Sequence, residues 1–182
     1  MNILFLGDVM GKSGRQVVRK ELPELKRKLE IDTVILNGEN AAGGFGITPK
    51  ICEEFYELGV DIITTGNHVW DQKEIIPYIS KDPNLLRPHN FPENVPGQGF
   101  VIYKDLMNRN ILVINVMARL FMDPLNDPIE SIDNIIRDYK IGEEVNAIII
   151  DVHGEATSEK MAIGHAFDGK VSFIVGTHTH IP

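Results

Sequence analysis

The sequence has very little cysteine and no long hydrophobic run. Cys52 is the one cysteine among 182 residues, so an internal disulfide framework is excluded and a reducing compartment is expected. The longest apolar stretches, such as residues 147–150, are far shorter than the roughly 20 residues of a membrane-spanning helix. The first residues also lack the basic and apolar regions of a signal peptide. These absences predict a cytoplasmic protein with no membrane partner.

Positive charge is also scarce. The chain has 18 lysines and arginines against 26 aspartates and glutamates, which gives a formal net charge of −8. Proteins that bind long nucleic acids usually carry a basic surface, because their affinity depends on neutralising phosphates. The basic residues cluster mainly between residues 12 and 28, in a pattern typical of a solvated helix face. Stable binding of long nucleic acid is therefore not expected. A small phosphorylated substrate remains compatible, since bound divalent cations reverse the local field.

Strand and helix patterns alternate along the first half of the chain. The predicted elements are a strand at 2–7, a helix at 14–30 capped by Ser13, a strand at 33–37, a helix at 49–59 capped by Thr48, a strand at 60–64 and a helix capped by Asp71 that ends at Ile79. This order is typical of a parallel sheet with right-handed crossovers.

After a proline-containing segment, the second half adds an antiparallel component. It consists of a predicted hairpin of strands 99–103 and 110–116, a helix from Asp127 to Lys140, a strand at 147–151, a helix at 157–165 and a strand at 171–175. We predict an α/β fold and a single domain over residues 1–182.

Side chains with metal-binding atoms follow five of the apolar runs. They are Asp8, Glu39 with Asn40, Asn67 with His68, His153, and His178 with His180. Ligands of α/β sheets bind beyond the carboxyl ends of the strands, so these side chains can converge although they are distant in sequence. Carboxylate, amide and imidazole groups without thiolate suit divalent metals of borderline character. The pattern therefore indicates a two-metal phosphoesterase site.

Several other residues could be either functional or structural. Arg119 follows a strand and could hold a phosphate, but a surface ion pair is equally consistent. The glycine-rich segment 41–46 is either a flexible connector or a backbone that approaches the substrate closely. Phe45 and Trp70 could stack on a base, although packing against the protein is the favoured interpretation. His89 has no matching partner and is interpreted as structural.

A phosphate-binding loop is the strongest alternative of another class. Residues 7–13 read Gly-Asp-Val-Met-Gly-Lys-Ser. Asp151 ends an apolar run that resembles the strand carrying the magnesium-binding aspartate of ATPases and GTPases. The loop has three residues between its first glycine and Gly-Lys, where the motif needs four. This alternative also assigns no functional role to the histidines at the strand ends.

Together with their neighbours, the strand-end motifs resemble the calcineurin-like metallophosphoesterase superfamily and, within it, the bacterial YmdB-like phosphodiesterases. The narrower resemblance is carried by Asn-Gly-Glu-Asn-Ala-Ala at 37–42, Gly-Asn-His-Val-Trp-Asp at 66–71, Arg-Pro-His-Asn-Phe-Pro at 87–92 and His-Gly-Glu-Ala-Thr-Ser-Glu-Lys at 153–160. It covers essentially the whole chain and implies a four-layer α/β/β/α sandwich. Since that family continues for several more strands, it also implies that the chain given is incomplete at its C-terminus.

The resemblance further implies a dinuclear centre that hydrolyses phosphodiesters, with 2′,3′-cyclic nucleotides such as 2′,3′-cAMP as the substrate class. One metal would be held by Asp8, Glu39 and His180 with Asn40 nearby, and the other by Glu39, Asn67, His153 and His178. Manganese or iron is expected, with zinc and magnesium as alternatives. His68 would act as general acid or transition-state stabiliser while a metal-bridging hydroxide attacks phosphorus.

Two features depart from the broader superfamily. Its first motif is usually Asp-x-His, where this chain has Asp8-Val9-Met10, and its bridging residue is usually aspartate, where this chain has Glu39. The YmdB-like group shares both features, so they support the narrower resemblance. A metal- or nucleotide-binding regulatory module without turnover remains an alternative, and a homo-oligomer remains open.

Overall fold

Two β-sheets pack face to face between two sets of helices in the structure, a computed structural model that describes residues 1–181. In chain order the elements are β1 (Ile3–Leu6), α1 (Gly11–Lys28), β2 (Thr33–Asn37), α2 (Pro49–Glu57), β3 (Ile62–Thr64), α3 (Ile75–Ile79), β4 (Phe100–Lys104), β5 (Asn110–Met117), α4 (Pro128–Ile136), β6 (Ala147–His153), α5 (Thr157–Ala166) and β7 (Phe173–Thr177). No helix within residues 1–181 is both long and apolar enough to span a membrane.

Both predicted strand arrangements are confirmed. The first sheet has the order β1-β2-β3 with parallel pairs. The second has the order β4-β5-β6-β7, in which β4 and β5 form the antiparallel hairpin while β5, β6 and β7 are parallel.

The apolar side chains form three layers of core. Along β2, Val34 and Leu36 face the cluster that contains α1, α2 and α3, whereas Ile35 faces the second sheet. Along β6, Ile150 packs towards α4 and α5, and Ile149 lies in the layer between the sheets. Successive strand residues point to opposite faces, so a strand covered on both sides reads as a continuous apolar run. The helices, sheets and helices thus form the predicted α/β/β/α sandwich.

Two of the three predicted caps are wrong and one is confirmed. Helix α1 begins at Gly11 rather than after Ser13, because the carbonyl of Asn40 accepts a hydrogen bond from the Gly11 amide and takes the place of a side-chain cap. Asp71 does not cap α3, which begins only at Ile75. Thr48 caps α2 through its side-chain oxygen, as predicted, and the side chain of Asp127 caps α4 in the same way.

Candidate metal centre

Three side chains converge on the Nε2 atom of His153, the last residue of β6. Glu39 Oε1, Asn67 Oδ1 and His178 Nδ1 each lie 3.1 Å from this nitrogen. Glu39 follows β2, Asn67 follows β3 and His178 follows β7, so the cluster joins the carboxyl ends of both sheets. We call Glu39, Asn67, His153 and His178 the inner cluster.

The inner cluster suits a cation. Glu39 Oε1 is buried without a correctly oriented hydrogen-bond partner among the described residues, although His153 Nε2 is only 3.1 Å away. Buried polar atoms are normally satisfied, so an orphaned carboxylate oxygen facing imidazole and amide ligands fits a metal ion. Glu39, His153 and His178 also offer ligand atoms that all lie within 4.8 Å of one another.

Glu39 and His153 shift each other's pKa. Burial is the largest cause and opposes the charged form of both groups. Their mutual pairing, together with His68 for Glu39 and with Asp151 and Asp8 for His153, outweighs it, so the pKa of Glu39 is lowered and the pKa of His153 is raised. Burial, followed by the charge of His153, lowers the pKa of His178 and favours its neutral form. The cluster therefore favours positive charge beside Glu39, which a proton or a divalent cation can supply.

Gly66 leaves the space in which the inner cluster meets. A Cβ atom built on this glycine would overlap His153 Nε2 and Glu39 Oε2, far inside van der Waals contact. The backbone amide of His68 also donates to Glu39 Oε2 at 3.2 Å. The turn after β3 thus both opens the cluster and orients its carboxylate.

A buried hydrogen-bond relay fixes the His153 ring. Asp151 is fully buried, and Asn37, Thr64 and Thr177 all donate hydrogen bonds to its carboxylate. Burial raises the pKa of Asp151 to about 6, so the group is mainly ionised at neutral pH and accepts. Because Thr177 gives its hydroxyl proton to Asp151, its oxygen accepts from His153 Nδ1 at 2.9 Å. His153 Nε2 is then the nitrogen that can bind a metal.

A second group of predicted ligands contains one open residue, His180. We call Asp8, Asn40 and His180 the outer cluster. His180 Nε2 lies 3.2 Å from Asn40 Oδ1 and 3.6 Å from Asp8 Oδ1, and the His180 side chain is 36% exposed. Both Asp8 oxygens accept from the backbone amide of His178 at 3.1 Å, which connects the outer cluster to the inner one.

His68 lines the cleft beside both clusters. Its Nδ1 lies 2.7 Å from Asp71 Oδ2, the contact that Asp71 makes instead of capping α3. The Phe45 ring meets the His68 ring edge to face, with centroids 5.0 Å apart. These contacts orient the imidazole and leave Nε2 as the nitrogen available for proton exchange.

Arg119 is not among the residues that line this cleft. Its guanidinium pairs with Asp127 at 2.9 Å, and its backbone amide donates to Glu159. The structure also gives the phosphate-loop alternative no support. Asp151 is fully buried and its carboxylate is enclosed by three hydrogen-bond donors, so it is not free to hold a cation for residues 7–13.

The structure therefore brings together all seven predicted ligands and His68, but not Arg119. Their roles as ligands stay predictions. Sequence reasoning missed the relay of Asp151 and Thr177, which lie within strands rather than after them. An aspartate at the end of an otherwise apolar run, two positions before a histidine, was the available signal.

Known proteins match this chain over its whole length. The model of the YmdB-like protein family matches residues 4–182. A 2′,3′-cyclic-nucleotide 2′-phosphodiesterase from Bacillus subtilis (strain 168) is 47% identical over 181 residues, which cover 100% of this chain and 67% of the relative. A crystal structure of a hypothetical protein from Thermus thermophilus has a TM-score of 0.92 and 41% identity, and covers 100% of this chain and 69% of that one.

A crystal structure of a novel phosphatase from Mycoplasma pneumoniae has a TM-score of 0.90 and 36% identity. It covers 99% of this chain, and the match spans 64% of that protein. The chain thus spans about two thirds of the length of the relatives and structures that it matches.

Proposed function

The chain belongs to the YmdB-like protein family, as its motifs predicted, and from that premise we propose that it is a metal-dependent phosphodiesterase of small phosphodiesters. The proposed substrate class is 2′,3′-cyclic nucleotides such as 2′,3′-cAMP, in keeping with the name of the Bacillus subtilis relative. The observation that carries the proposal is the convergence of Glu39, Asn67 and His178 on His153 Nε2. Nitrogen and oxygen donors arranged in this way suit a hydrolytic metal centre.

Two divalent cations, with manganese or iron favoured by the donor set, complete the proposed site. The inner cluster would hold one ion, and Asp8 and His180 with Asn40 nearby would hold the other, with Glu39 shared between them. Such ions supply a water of lowered pKa and positive charge against the phosphate. No lysine or arginine lines the cleft among the described residues, so the chain itself offers little else to balance that charge.

His68 is the proposed proton donor to the leaving ribose oxygen. Asp71 accepts a hydrogen bond from Nδ1, which keeps the ring in place through the proton transfer. The backbone amide of His68 donates to Glu39 Oε2, so the turn after β3 both carries the proton donor and holds the shared carboxylate in place. Asp8 and Glu39 would serve as ionised ligands throughout.

The test is hydrolysis of 2′,3′-cAMP by the manganese-loaded full-length protein, together with its metal content. We expect product formation with about two ions per chain, and a loss of roughly 100-fold or more in kcat for His68→Gln without loss of metal. The matched control is His165→Gln, which replaces an exposed histidine on α5 and should leave both quantities unchanged. Bound metal without turnover of any cyclic nucleotide would contradict the proposal and point to a regulatory module. A His68→Gln enzyme with full turnover would remove the proton-donor role.

A cytoplasmic location and the absence of stable binding to long nucleic acid are further parts of the proposal. Both rest on composition, namely a single buried cysteine and a net charge of −8.

A further inference from the structure

A cleft of about 390 Å³ extends from the candidate metal centre to an apolar wall. Its polar side carries Glu39, Asn40, His68, His178 and His180. The cleft is also lined by Met10, Gly43, Gly44 and Phe45, which have no polar side chains and which we call the apolar wall. A ligand whose phosphate lies at the metal centre would therefore place its remaining atoms against these apolar groups.

The apolar wall exposes two large side chains at the cleft. Phe45 is 59% exposed and Met10 is 45% exposed. Met10 Sδ lies 3.5 Å from the point where a Cβ of Gly44 would stand, so the thioether covers the backbone of the glycine-rich segment. An exposed aromatic ring and a polarizable thioether form a surface suited to a flat, weakly polar ring system.

Hydrogen bonds to two consecutive carbonyls hold the backbone that carries Phe45 in place. Gln72 Nε2 donates to the Phe45 carbonyl at 2.8 Å, and Asn40 Nδ2 donates to the Gly44 carbonyl at 2.9 Å. Gly43, Gly44 and Gly46 all have φ between 73° and 104°, which favours glycine. These hydrogen bonds and glycine conformations hold the segment against the cleft, which favours the interpretation of a backbone placed close to the substrate.

Trp70, the other aromatic residue considered for stacking, does not share this position. Its ring is partly buried against the first-sheet core and meets Phe91 edge to face at 6.1 Å. Trp70 thus packs against the protein, as the sequence favoured, whereas Phe45 touches the His68 ring and leaves most of its own surface exposed.

We propose that Phe45 and Met10 form a stacking slot for the nucleobase of the substrate, an inference that rests on the proposed phosphodiesterase function. The slot offers little for reading base identity. Asn40 already uses its amide group within the protein, and Met10, Gly43, Gly44 and Phe45 have no polar side chain. Stacking is sequence-tolerant, since every base has a π-face. The slot thus selects substrates that carry a base over substrates that lack one, with little preference among bases.

The test compares 2′,3′-cAMP with methyl β-D-ribofuranoside 2′,3′-cyclic phosphate, which carries a methoxy group in place of the base. We expect Phe45→Ala to lower the ratio of kcat/KM for the two substrates roughly tenfold, mainly through KM for 2′,3′-cAMP. Phe45→Tyr, which keeps the ring, should retain the ratio within about twofold. Phe173→Ala is the matched control, because Phe173 is 51% exposed at the start of β7, the opposite end of the strand from the site.

Two kinetic outcomes would overturn the slot. An unchanged ratio in Phe45→Ala would show that the ring does not contact the base. An equal loss of kcat for both substrates would show that Phe45 acts on His68, which its ring touches, rather than on the substrate.

A binding measurement separates the slot from the proposed function. Calorimetry of the manganese-loaded wild type with 3′-AMP and with methyl riboside 3′-phosphate requires no turnover. Tighter binding of 3′-AMP that Phe45→Ala abolishes would support the slot even if no cyclic nucleotide were hydrolysed. Equal affinity for the two ligands, or binding of neither, would overturn the slot.

Discussion

The inner and outer clusters are built from the same kinds of residue but differ in how firmly they are held. Around His153 Nε2, three ligand atoms stand at 3.1 Å, and Glu39 and His153 are at most 1% exposed. In the outer cluster, His180 Nε2 has neighbours at 3.2 and 3.6 Å, and its side chain is 36% exposed. A preorganised set of ligands loses less freedom on binding. We therefore expect the inner cluster to bind its ion first and more tightly.

Local support explains the contrast. Both inner histidines have a carboxylate behind them, because Thr177 connects His153 to Asp151 and Glu155 Oε2 lies 3.2 Å from His178 Nε2. No such partner stands behind His180 among residues 1–181 in the contacts that the structure shows. Two-step manganese binding in calorimetry would confirm the contrast, and two equal sites would contradict it.

The largest effect is expected when a side chain occupies the space inside the inner cluster. Gly66→Ala places a methyl group on His153 Nε2 and Glu39 Oε2, so Glu39 can no longer serve either ion. We expect metal content to fall from about two ions per chain to near none, with loss of all turnover. Measuring bound manganese after desalting provides the test, and Gly164→Ala is the control because its Cβ would meet no atom within 4 Å. Two retained ions in Gly66→Ala would show that the inner cluster is not a metal site.

Removing the outer imidazole should halve the metal content. His180→Ala deletes an outer ligand without touching the inner contacts at His153, so we expect about one ion per chain and loss of turnover. His165→Ala, at an exposed helical position, should keep about two ions. If His180→Ala lost both ions, the clusters would be one cooperative unit and the comparison would fail.

The sequence predicted the ligands of the two clusters but not the groups that support them. Strand-end positions predicted Asp8, Glu39 and His178, because an apolar run followed by a ligand residue is a local pattern. The support of the site is not local, since Asp151 meets Asn37 and Thr64 from the other sheet.

The same limit applies to side chains that had competing local readings. Asp71 fitted a helix cap but binds His68, and Arg119 fitted a phosphate ligand but pairs with Asp127. The sequence offered the same two interpretations for Phe45 and Trp70. Only the packing of the folded chain distinguishes the exposed Phe45 ring from the partly buried Trp70 ring. Which partner a polar or aromatic side chain takes depends on tertiary distances that periodicity does not encode.

Breaking the buried support should weaken the inner ion without deleting a ligand. Thr177→Val keeps the shape of the side chain but removes the hydroxyl between His153 and Asp151, so the ring loses its fixed tautomer. We expect manganese affinity of the tighter site to fall roughly 10- to 100-fold. Thr177→Ser restores the hydroxyl and should recover most of the affinity. Weakening by serine but not by valine would mean that packing of the methyl group, not the relay, matters.

The smallest effect is expected at the exposed support of the same cluster. Glu155→Gln replaces the carboxylate that faces His178 Nε2, but the Glu155 side chain is 52% exposed, so water screens the pair and can replace it. The amide oxygen of glutamine can still accept from Nε2–H, which leaves Nδ1 directed at the inner cluster. We expect only about a two- to fivefold loss of manganese affinity. Glu57→Gln, at another exposed position, is the control. A loss as large as that of Thr177→Val would show that an exposed supporting carboxylate contributes as much to manganese affinity as a buried one. His178 would then depend on Glu155 as much as His153 depends on its relay.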